Sequence, residues 1–206
     1  MTKRIKYLAL TFDDGPAETT QAIVEALRLN QARATFFVNG SCLKKYPHIT
    51  KMAFDSNCEI GNHTTDHLHL PELSYEEVIR EIETTKELIK EIIGEYPRLM
   101  RPPFGEYNEM TCRAAKDCGL PLINWSIDPC DWDSDDAQTT RKRILENLHD
   151  NAIILCHDRM KSTSELMMTF VKELKVKGYE LVTVSELFRI NNEIPEAGRV
   201  YLQPTK

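Results

Sequence analysis

The sequence predicts an α/β fold in which a parallel sheet, covered by helices, curls into a closed or nearly closed barrel. Short apolar runs typical of buried strands alternate with stretches whose apolar residues recur every three or four positions, and about seven such units follow one another. Alternation of strand and helix is typical of parallel sheets, and seven units favour a barrel over an open sheet. The length of 206 residues suits one domain, and the 41% hydrophobic content suits a protein with a substantial core.

Seven short segments are predicted as strands, with stretches of helical apolar spacing between them. They cover residues 5–12, 34–38, 58–61, 98–101, 122–127, 152–156 and 179–182. The first is followed by Gly15-Pro16, a dipeptide that ends strands, and a helical pattern begins soon after it.

Two helices are predicted with defined ends. Residues 75–93 carry an apolar stripe, and Ser74 with Glu77 has the spacing of a capping box at the start of this helix. Residues 165–177 form the second helix, and Gly178 is a typical stop after it. The stripe of the first helix consists of Val78, Ile82, Leu88, Ile89 and Ile92.

The composition argues against several classes of protein. The chain has 26 basic and 32 acidic residues, a net charge of −6, which argues against a general nucleic-acid-binding surface. No apolar run reaches the length that a membrane span requires, and the N-terminal residues lack the apolar core of a signal peptide. We therefore expect either a cytosolic protein or the catalytic domain of a longer exported chain.

The cysteines are expected to be reduced thiols without a disulfide framework. They stand at positions 42, 58, 112, 118, 130 and 156, and none forms a C-x-x-C pair, which argues against a zinc knuckle or a thioredoxin-like motif. Most of them flank or lie in apolar segments, as core-facing thiols do.

Two adjacent carboxylates, Asp13 and Asp14, follow the first apolar run. Two like charges at the end of a buried strand repel each other and are costly to desolvate, and a bound cation would offset that cost. A simpler interpretation is that Asp14 caps the next helix while Asp13 faces water. These two residues alone do not decide between the interpretations.

Polar residues follow four further predicted strands at their carboxyl ends. In a parallel α/β barrel all these ends open onto one face, where enzymes with this fold place their sites. One such coincidence would mean little, but five predict a functional site. With Asp13-Asp14, the polar segments are residues 62–67, 101–105, 128–132 and 157–158.

His63 and His67 stand four positions apart, a spacing that places two imidazoles on one face of a helical turn. Two histidines and one aspartate leave positions open for water and substrate, as hydrolytic metal sites require. The spacing of His69 from His67 suits the opposite face, so we expect His69 to face solvent or to lie outside the ligand set.

The motifs, taken in order, resemble those of the polysaccharide deacetylases of the NodB-homology class, carbohydrate esterase family 4. The resemblance spans residues 5 to about 190 and implies one catalytic domain over 1–206, with 191–206 as a C-terminal tail. It also implies the family fold, a distorted, partly open (β/α) barrel of about seven parallel strands. The matching segments are Thr11-Phe12-Asp13-Asp14-Gly15, His63-Thr64-Thr65-Asp66-His67, Arg101-Pro102-Pro103-Phe104-Gly105, Asp128 with Asp131-Trp132, and Leu155-Cys156-His157-Asp158.

The resemblance implies a role for each of these positions. Asp14, His63 and His67 are expected to bind one divalent metal ion, Asp13 to act as the general base, and His157 to act as the general acid. Zinc is the expected metal, and cobalt, nickel or manganese would fit the same ligands.

The remaining roles implied by the resemblance support those groups. Arg101 would hold the base, and Asp131 would orient the acid. The backbone N–H of Phe104 would help to stabilise the oxyanion, and Leu155 and Trp132 would form the walls of a small pocket for the acetyl methyl group.

The expected function is removal of acetyl groups from N-acetylglucosamine residues of a polysaccharide, with peptidoglycan as the first substrate. Alternatives within the family are an acetylxylan esterase and a catalytically inactive carbohydrate-binding relative. The resemblance implies a cell-envelope or extracellular location, with the cytoplasm as the alternative, and we expect a monomer whose partner is the glycan.

Two other enzyme classes fit the residues less well. Non-haem iron oxygenases also use two histidines and one carboxylate, but they are usually built on all-β folds. A cysteine hydrolase built on Cys156 and His157 conflicts with strand geometry, because adjacent strand residues point to opposite faces.

Overall fold

The computed structural model describes residues 5–133 and 135–205, and this part of the chain contains seven strands. The first strand is longer than predicted, because it continues through Asp13 and Asp14 to Gly15. The strands are β1 (Lys6–Gly15), β2 (Thr35–Val38), β3 (Glu59–Asn62), β4 (Leu122–Ile123), β5 (Ala152–His157), β6 (Tyr179–Leu181) and β7 (Val200–Tyr201).

The sheet is organised around β1, and all of its strand pairs are parallel. On one edge, β1 pairs with β5 over Leu8–Asp13. On the other edge, β6 pairs with the start of β1 and β2 pairs with its end, and β3 follows β2. The order β3-β2-β1-β5 therefore forms the continuous part of the sheet.

Single bridges extend this sheet into a distorted, partly open barrel. Met100 bridges Asn62 on one side and Leu122 on the other, so β4 and its partner β7 continue the sheet beyond β3. Ile127 bridges Ile154 in β5 at the opposite edge. The predicted α/β class with a parallel sheet is confirmed.

The predicted strands at residues 98–101 and 122–127 are shorter in the structure. The first is reduced to a single bridging residue, Met100, since Pro97 and Pro102, which lack an N–H, stand on either side of it. The second is a two-residue strand with a separate bridge at Ile127. The sequence analysis missed β7, which lies within the expected tail and pairs with β4.

Both predicted helices are present in the structure. Helix α4 begins after the Ser74–Glu77 capping box as expected, and α7 extends four residues further towards its N-terminus than expected. No helix in the described part of the chain is both long and apolar enough to cross a membrane. The helices are α1 (Thr20–Leu29), α2 (Gly40–Leu43), α3 (Pro47–Asp55), α4 (Tyr75–Ile93), α5 (Glu109–Asp117), α6 (Ala137–Asn147), α7 (Lys161–Val176) and α8 (Val184–Ile190).

The two faces of β1 have different surroundings. Leu8, Leu10 and Phe12 belong to the large cluster beneath the helices, whereas Ala9 belongs to a second cluster, to which other strands and α8 contribute. Because side chains alternate along a strand, Thr11 shares the face of Ala9, which leads towards the carboxyl end of the sheet. This inner face carries the polar residues described next.

Candidate active site

Backbone strain is concentrated at the carboxyl ends of the strands. Nine non-glycine residues in the described chain have positive φ, and five of them lie in the polar segments predicted as a site. Such conformations cost on the order of 1–3 kcal/mol each and often mark functional sites. The five are Asp14, Thr64, His67, Phe104 and Cys130.

Asp13 and Asp14 face the same site although they are neighbours in a strand. Alternation would send them to opposite faces, but the pairing register between β1 and β2 shifts between Asp13 and Gly15, and Asp14 has φ 71°. This local irregularity turns both carboxylates towards the cleft at the end of the sheet.

Asp14, His63 and His67 form a candidate metal centre. The Asp14 Oδ1 atom lies 3.5 Å from His63 Nε2 and 3.2 Å from His67 Nε2, and all three ligand atoms lie within 4.8 Å of one another. Tetrahedral zinc with bonds of about 2.0–2.1 Å would separate its ligand atoms by roughly 3.3–3.4 Å. The two distances to Asp14 therefore fit a small divalent cation.

The hydrogen bonds of His63 and Asp14 also suit metal binding. His63 Nδ1 lies 2.8 Å from the Arg101 carbonyl oxygen, which can only accept a hydrogen bond, so a neutral His63 keeps its lone pair on Nε2. The second oxygen of Asp14, Oδ2, accepts a hydrogen bond of 2.8 Å from Arg159 Nε. Each of these two side chains thus has its remaining polar atom fixed by a neighbour, as outer partners fix metal ligands.

Asp13 is held by a fully buried arginine. Arg101 Nη1 donates to Asp13 Oδ1 at 2.8 Å and to Thr11 Oγ1 at 2.7 Å. The guanidinium also donates to the carbonyls of Ile123 and Asn124. Asp13 Oδ2 lies 3.7 Å from His63 Nε2, so the free oxygen of Asp13 faces the candidate metal centre.

His157 at the end of β5 forms a second pair with a buried aspartate. Its Nδ1 lies 2.7 Å from Asp131 Oδ1, and its backbone N–H donates to Asp131 Oδ2 at 2.8 Å. Thr163 Oγ1 donates to that same oxygen at 2.6 Å. Since a carboxylate accepts, Nδ1 carries the proton and Nε2 is left to exchange one. Cys156 belongs to the cluster beneath the helices, in agreement with the argument against a cysteine hydrolase.

These groups line one cleft of about 360 Å³. Leu155 is buried in its wall, while Trp132 and Phe104 are about half exposed at its edges. All ten residues named as candidates from the sequence lie in this cleft or contact a residue that lines it. The lining residues are Asp13, Asp14, His63, His67, Phe104, Trp125, Asp128, Trp132, Leu155, His157 and Arg159.

Comparison with known proteins assigns the chain to a family. Residues 1–123, more than half of its 206 residues, match the profile described as polysaccharide deacetylase. The chain belongs to the polysaccharide deacetylase family. It is 36% identical to the peptidoglycan-N-acetylglucosamine deacetylase PgdA of Listeria monocytogenes over 98% of this chain and 42% of that protein. It therefore spans about two fifths of the length of this relative.

Solved structures of the family share the fold closely. A structure described as "T48 deacetylase with substrate" has a TM-score of 0.90 and 36% identity, and the match covers 96% of each chain. A family 4 carbohydrate esterase from Streptomyces lividans in complex with acetate has a TM-score of 0.82 and 30% identity, covering 87% of this chain and 93% of that one. The resemblance to polysaccharide deacetylases and carbohydrate esterase family 4 is confirmed.

The electrostatics of the site favour the charged forms of both Asp14 and His157. Burial raises the pKa of the Asp14 carboxyl, but the hydrogen bond and charge of His63 and the charge of His67 outweigh burial and hold that pKa well below its usual range. Burial lowers the pKa of His157, but the hydrogen bond and charge of Asp131 outweigh it and raise the pKa. Asp14 therefore favours its anionic form, and His157 favours its protonated form.

Sequence analysis missed several residues that support the site. Arg159 lines the cleft and binds Asp14, and its position two residues after His157 was the available signal. The hydrogen bonds that Thr11 and Thr163 make to Arg101 and Asp131 depend on the packing of distant segments, so no local pattern could have indicated them.

His69 also differs in part from its expectation. It is partly exposed as expected and lies outside the candidate ligand set, but its imidazole stacks on Phe104 and its Nδ1 lies 2.9 Å from Glu106 Oε2. This contact joins the loop after β3 to the loop after Arg101.

Proposed function

We propose that this chain hydrolyses the acetamide of N-acetylglucosamine residues in a polysaccharide, with peptidoglycan as the first substrate and one divalent metal ion, zinc, as cofactor. One observation carries the proposal. A carboxylate held by a buried arginine and a histidine held by a buried aspartate face a candidate Asp-His-His metal centre in a single cleft.

Asp14, His63 and His67 would hold the cation. A bound dication lowers the pKa of its water ligand and withdraws charge from a carbonyl oxygen, which is the chemistry that amide hydrolysis needs. The Arg101 carbonyl and Arg159 support this ligand set, because they engage the atoms of His63 and Asp14 that do not face the centre.

Asp13 would accept the proton of the attacking water. Arg101 engages only one of its oxygens, so the other remains available at 3.7 Å from His63 Nε2. The fixed orientation of Asp13 suits a general base, since general base catalysis requires a defined distance between the base and the proton it removes.

His157 would donate a proton to the leaving nitrogen. An amine is a poor leaving group unless it is protonated, and the raised pKa of His157 favours the acid form needed for that step. Nδ1 is committed to Asp131, which leaves Nε2 as the donor. Leu155 and Trp132 would form the walls around the acetyl methyl group, and the N–H of Phe104 would stabilise the oxyanion.

The substrate follows from the amide chemistry together with the names of relatives. The PgdA relative is named for peptidoglycan N-acetylglucosamine. An ester releases an alkoxide more easily than an amide releases an amine, so the ordered Asp131–His157 pair favours amide hydrolysis over xylan ester hydrolysis. Action on peptidoglycan would take place at the cell envelope.

Acetate release from three substrates tests the proposal. Purified protein is assayed on N-acetylglucosamine oligomers, peptidoglycan and acetylated xylan, before metal removal, after it, and after zinc is restored. We expect acetate from the N-acetylated substrates, loss of release after metal removal and recovery with zinc. Release from xylan alone would overturn the amide proposal, and release that survives complete metal removal would overturn the metal-dependent one.

A further inference from the structure

A stacked pair of rings lies at the rim of the cleft. The His69 imidazole and the Phe104 ring are nearly parallel, with an interplanar angle of 6° and centroids 3.9 Å apart. His69 Nδ1 is also 2.9 Å from Glu106 Oε2. His69 and Phe104 lie in different loops, so their rings stack only because the fold brings these loops together.

The need for a packed core does not account for this arrangement. The side chains of His69 and Glu106 are 46% and 52% exposed, and Phe104 is 51% exposed. Phe104 nevertheless adopts φ 59°, an unfavourable conformation for a bulky residue, although its ring gains little from burial. Within residues 5–133 and 135–205, His69 Nε2 has no hydrogen-bond partner. The rings are held in place while a polar atom remains free for a ligand.

The pair is continuous with the candidate active site. The edge of the Phe104 ring meets His67, with centroids 4.6 Å apart and an interplanar angle of 71°. Phe104 also lines the cleft that contains the candidate metal centre. A chain of sugars whose acetamide lies at the centre would therefore reach His69 and Glu106 with a neighbouring sugar.

The chemistry of the pair suits a pyranose ring. Flat aromatic surface packs against the apolar face of a sugar, and an imidazole beside a carboxylate offers both donor and acceptor capacity to hydroxyl groups.

We propose that Phe104, His69 and Glu106 form a subsite for the sugar next to the residue that is deacetylated. This inference rests on the proposed function, because it places that sugar relative to the acetamide. Its consequence is that His69 and Glu106 contribute to the binding of oligomers and not to the chemical step.

Steady-state kinetics with two substrates test the subsite. His69→Ala and Glu106→Gln are compared with wild type on an N-acetylglucosamine pentamer and on a small aryl acetate, which has no sugar. We expect each variant to raise KM for the pentamer about tenfold, equivalent to ~1.4 kcal/mol, with kcat unchanged and KM for the aryl acetate unchanged. His48→Ala, an exposed histidine on α3, is the matched control and should leave both KM values unchanged.

Coupling between the two side chains provides a second criterion. Because His69 and Glu106 contact each other, the double variant should raise KM for the pentamer by less than the product of the two single effects. An equal KM change on both substrates, or no change on the pentamer, would overturn the subsite.

Failure of the proposed function has a different signature. It would appear as no acetate release by wild type from any N-acetylated oligomer. In that case calorimetric titration with the same pentamer still decides the subsite. Weaker binding to His69→Ala than to wild type would support it, and equal binding, or no binding to wild type, would overturn it.

Discussion

The buried Arg101–Asp13 pair makes a quantitative prediction about stability. Arg101 is fully buried and donates hydrogen bonds to four oxygens, at 2.7 Å to Thr11, 2.8 Å to Asp13, 2.8 Å to Ile123 and 3.0 Å to Asn124. Removal of one partner from such a pair costs about 3–5 kcal/mol, because the other charge stays buried without compensation. Arg101→Met and Asp13→Asn should each lower the free energy of unfolding by about this amount.

The double variant distinguishes a paired charge from two independent contributions. Independent effects would sum to about 6–10 kcal/mol, whereas loss of both charges leaves neither uncompensated and should cost far less than that sum. The assay is urea unfolding of the metal-free protein at pH 7, followed by circular dichroism. Thr11→Val, which removes a neutral hydroxyl beside the same guanidinium, is the control and should cost about 1–2 kcal/mol. Agreement of the double variant with the sum of the single effects would refute the argument.

Three further predictions concern the metal, the acid and the strand end. His63→Ala should retain the fold but lose stoichiometric metal by elemental analysis, and full occupancy would contradict its assignment as a ligand. The kcat for deacetylation should fall as pH rises through the raised pKa of His157. Asp131→Asn should move that fall to lower pH, because it removes the charge that raises the pKa of His157. A pH profile that does not move would contradict the role of His157 as the general acid. Gly15→Ala should lower the free energy of unfolding by about 1–3 kcal/mol, because the added methyl would lie 2.0 Å from Asp158 Oδ2. An unchanged unfolding midpoint in urea would contradict this packing argument.

Local signals in the sequence predicted elements whose ends are set by neighbouring residues. Helix α4 begins where the Ser74–Glu77 capping box predicts, since both of its hydrogen bonds are made within one turn. The convergence of polar segments was also predictable, because parallel strands place their carboxyl ends on one face.

Features that depend on pairing between distant segments were not predictable in this way. Strand β7 exists because Val200 and Tyr201 pair with β4, and nothing in their immediate sequence distinguishes them from a tail. The shared orientation of Asp13 and Asp14 depends on a register shift against β2, which contradicts simple alternation along the strand. The contact of Arg159 with Asp14, 145 positions away, belongs to the same class, although the position of Arg159 two residues after His157 was a signal that it lies near the site.

The division of roles between the two adjacent aspartates is the central claim, and metal content measured together with turnover tests it most directly. In Asp13→Asn we expect stoichiometric zinc and a kcat lower by about 10²–10⁴-fold, because a general base has been removed while the ligand set remains. In Asp14→Asn we expect the zinc itself to be lost. Near-normal turnover in Asp13→Asn, or loss of its zinc, would contradict the account.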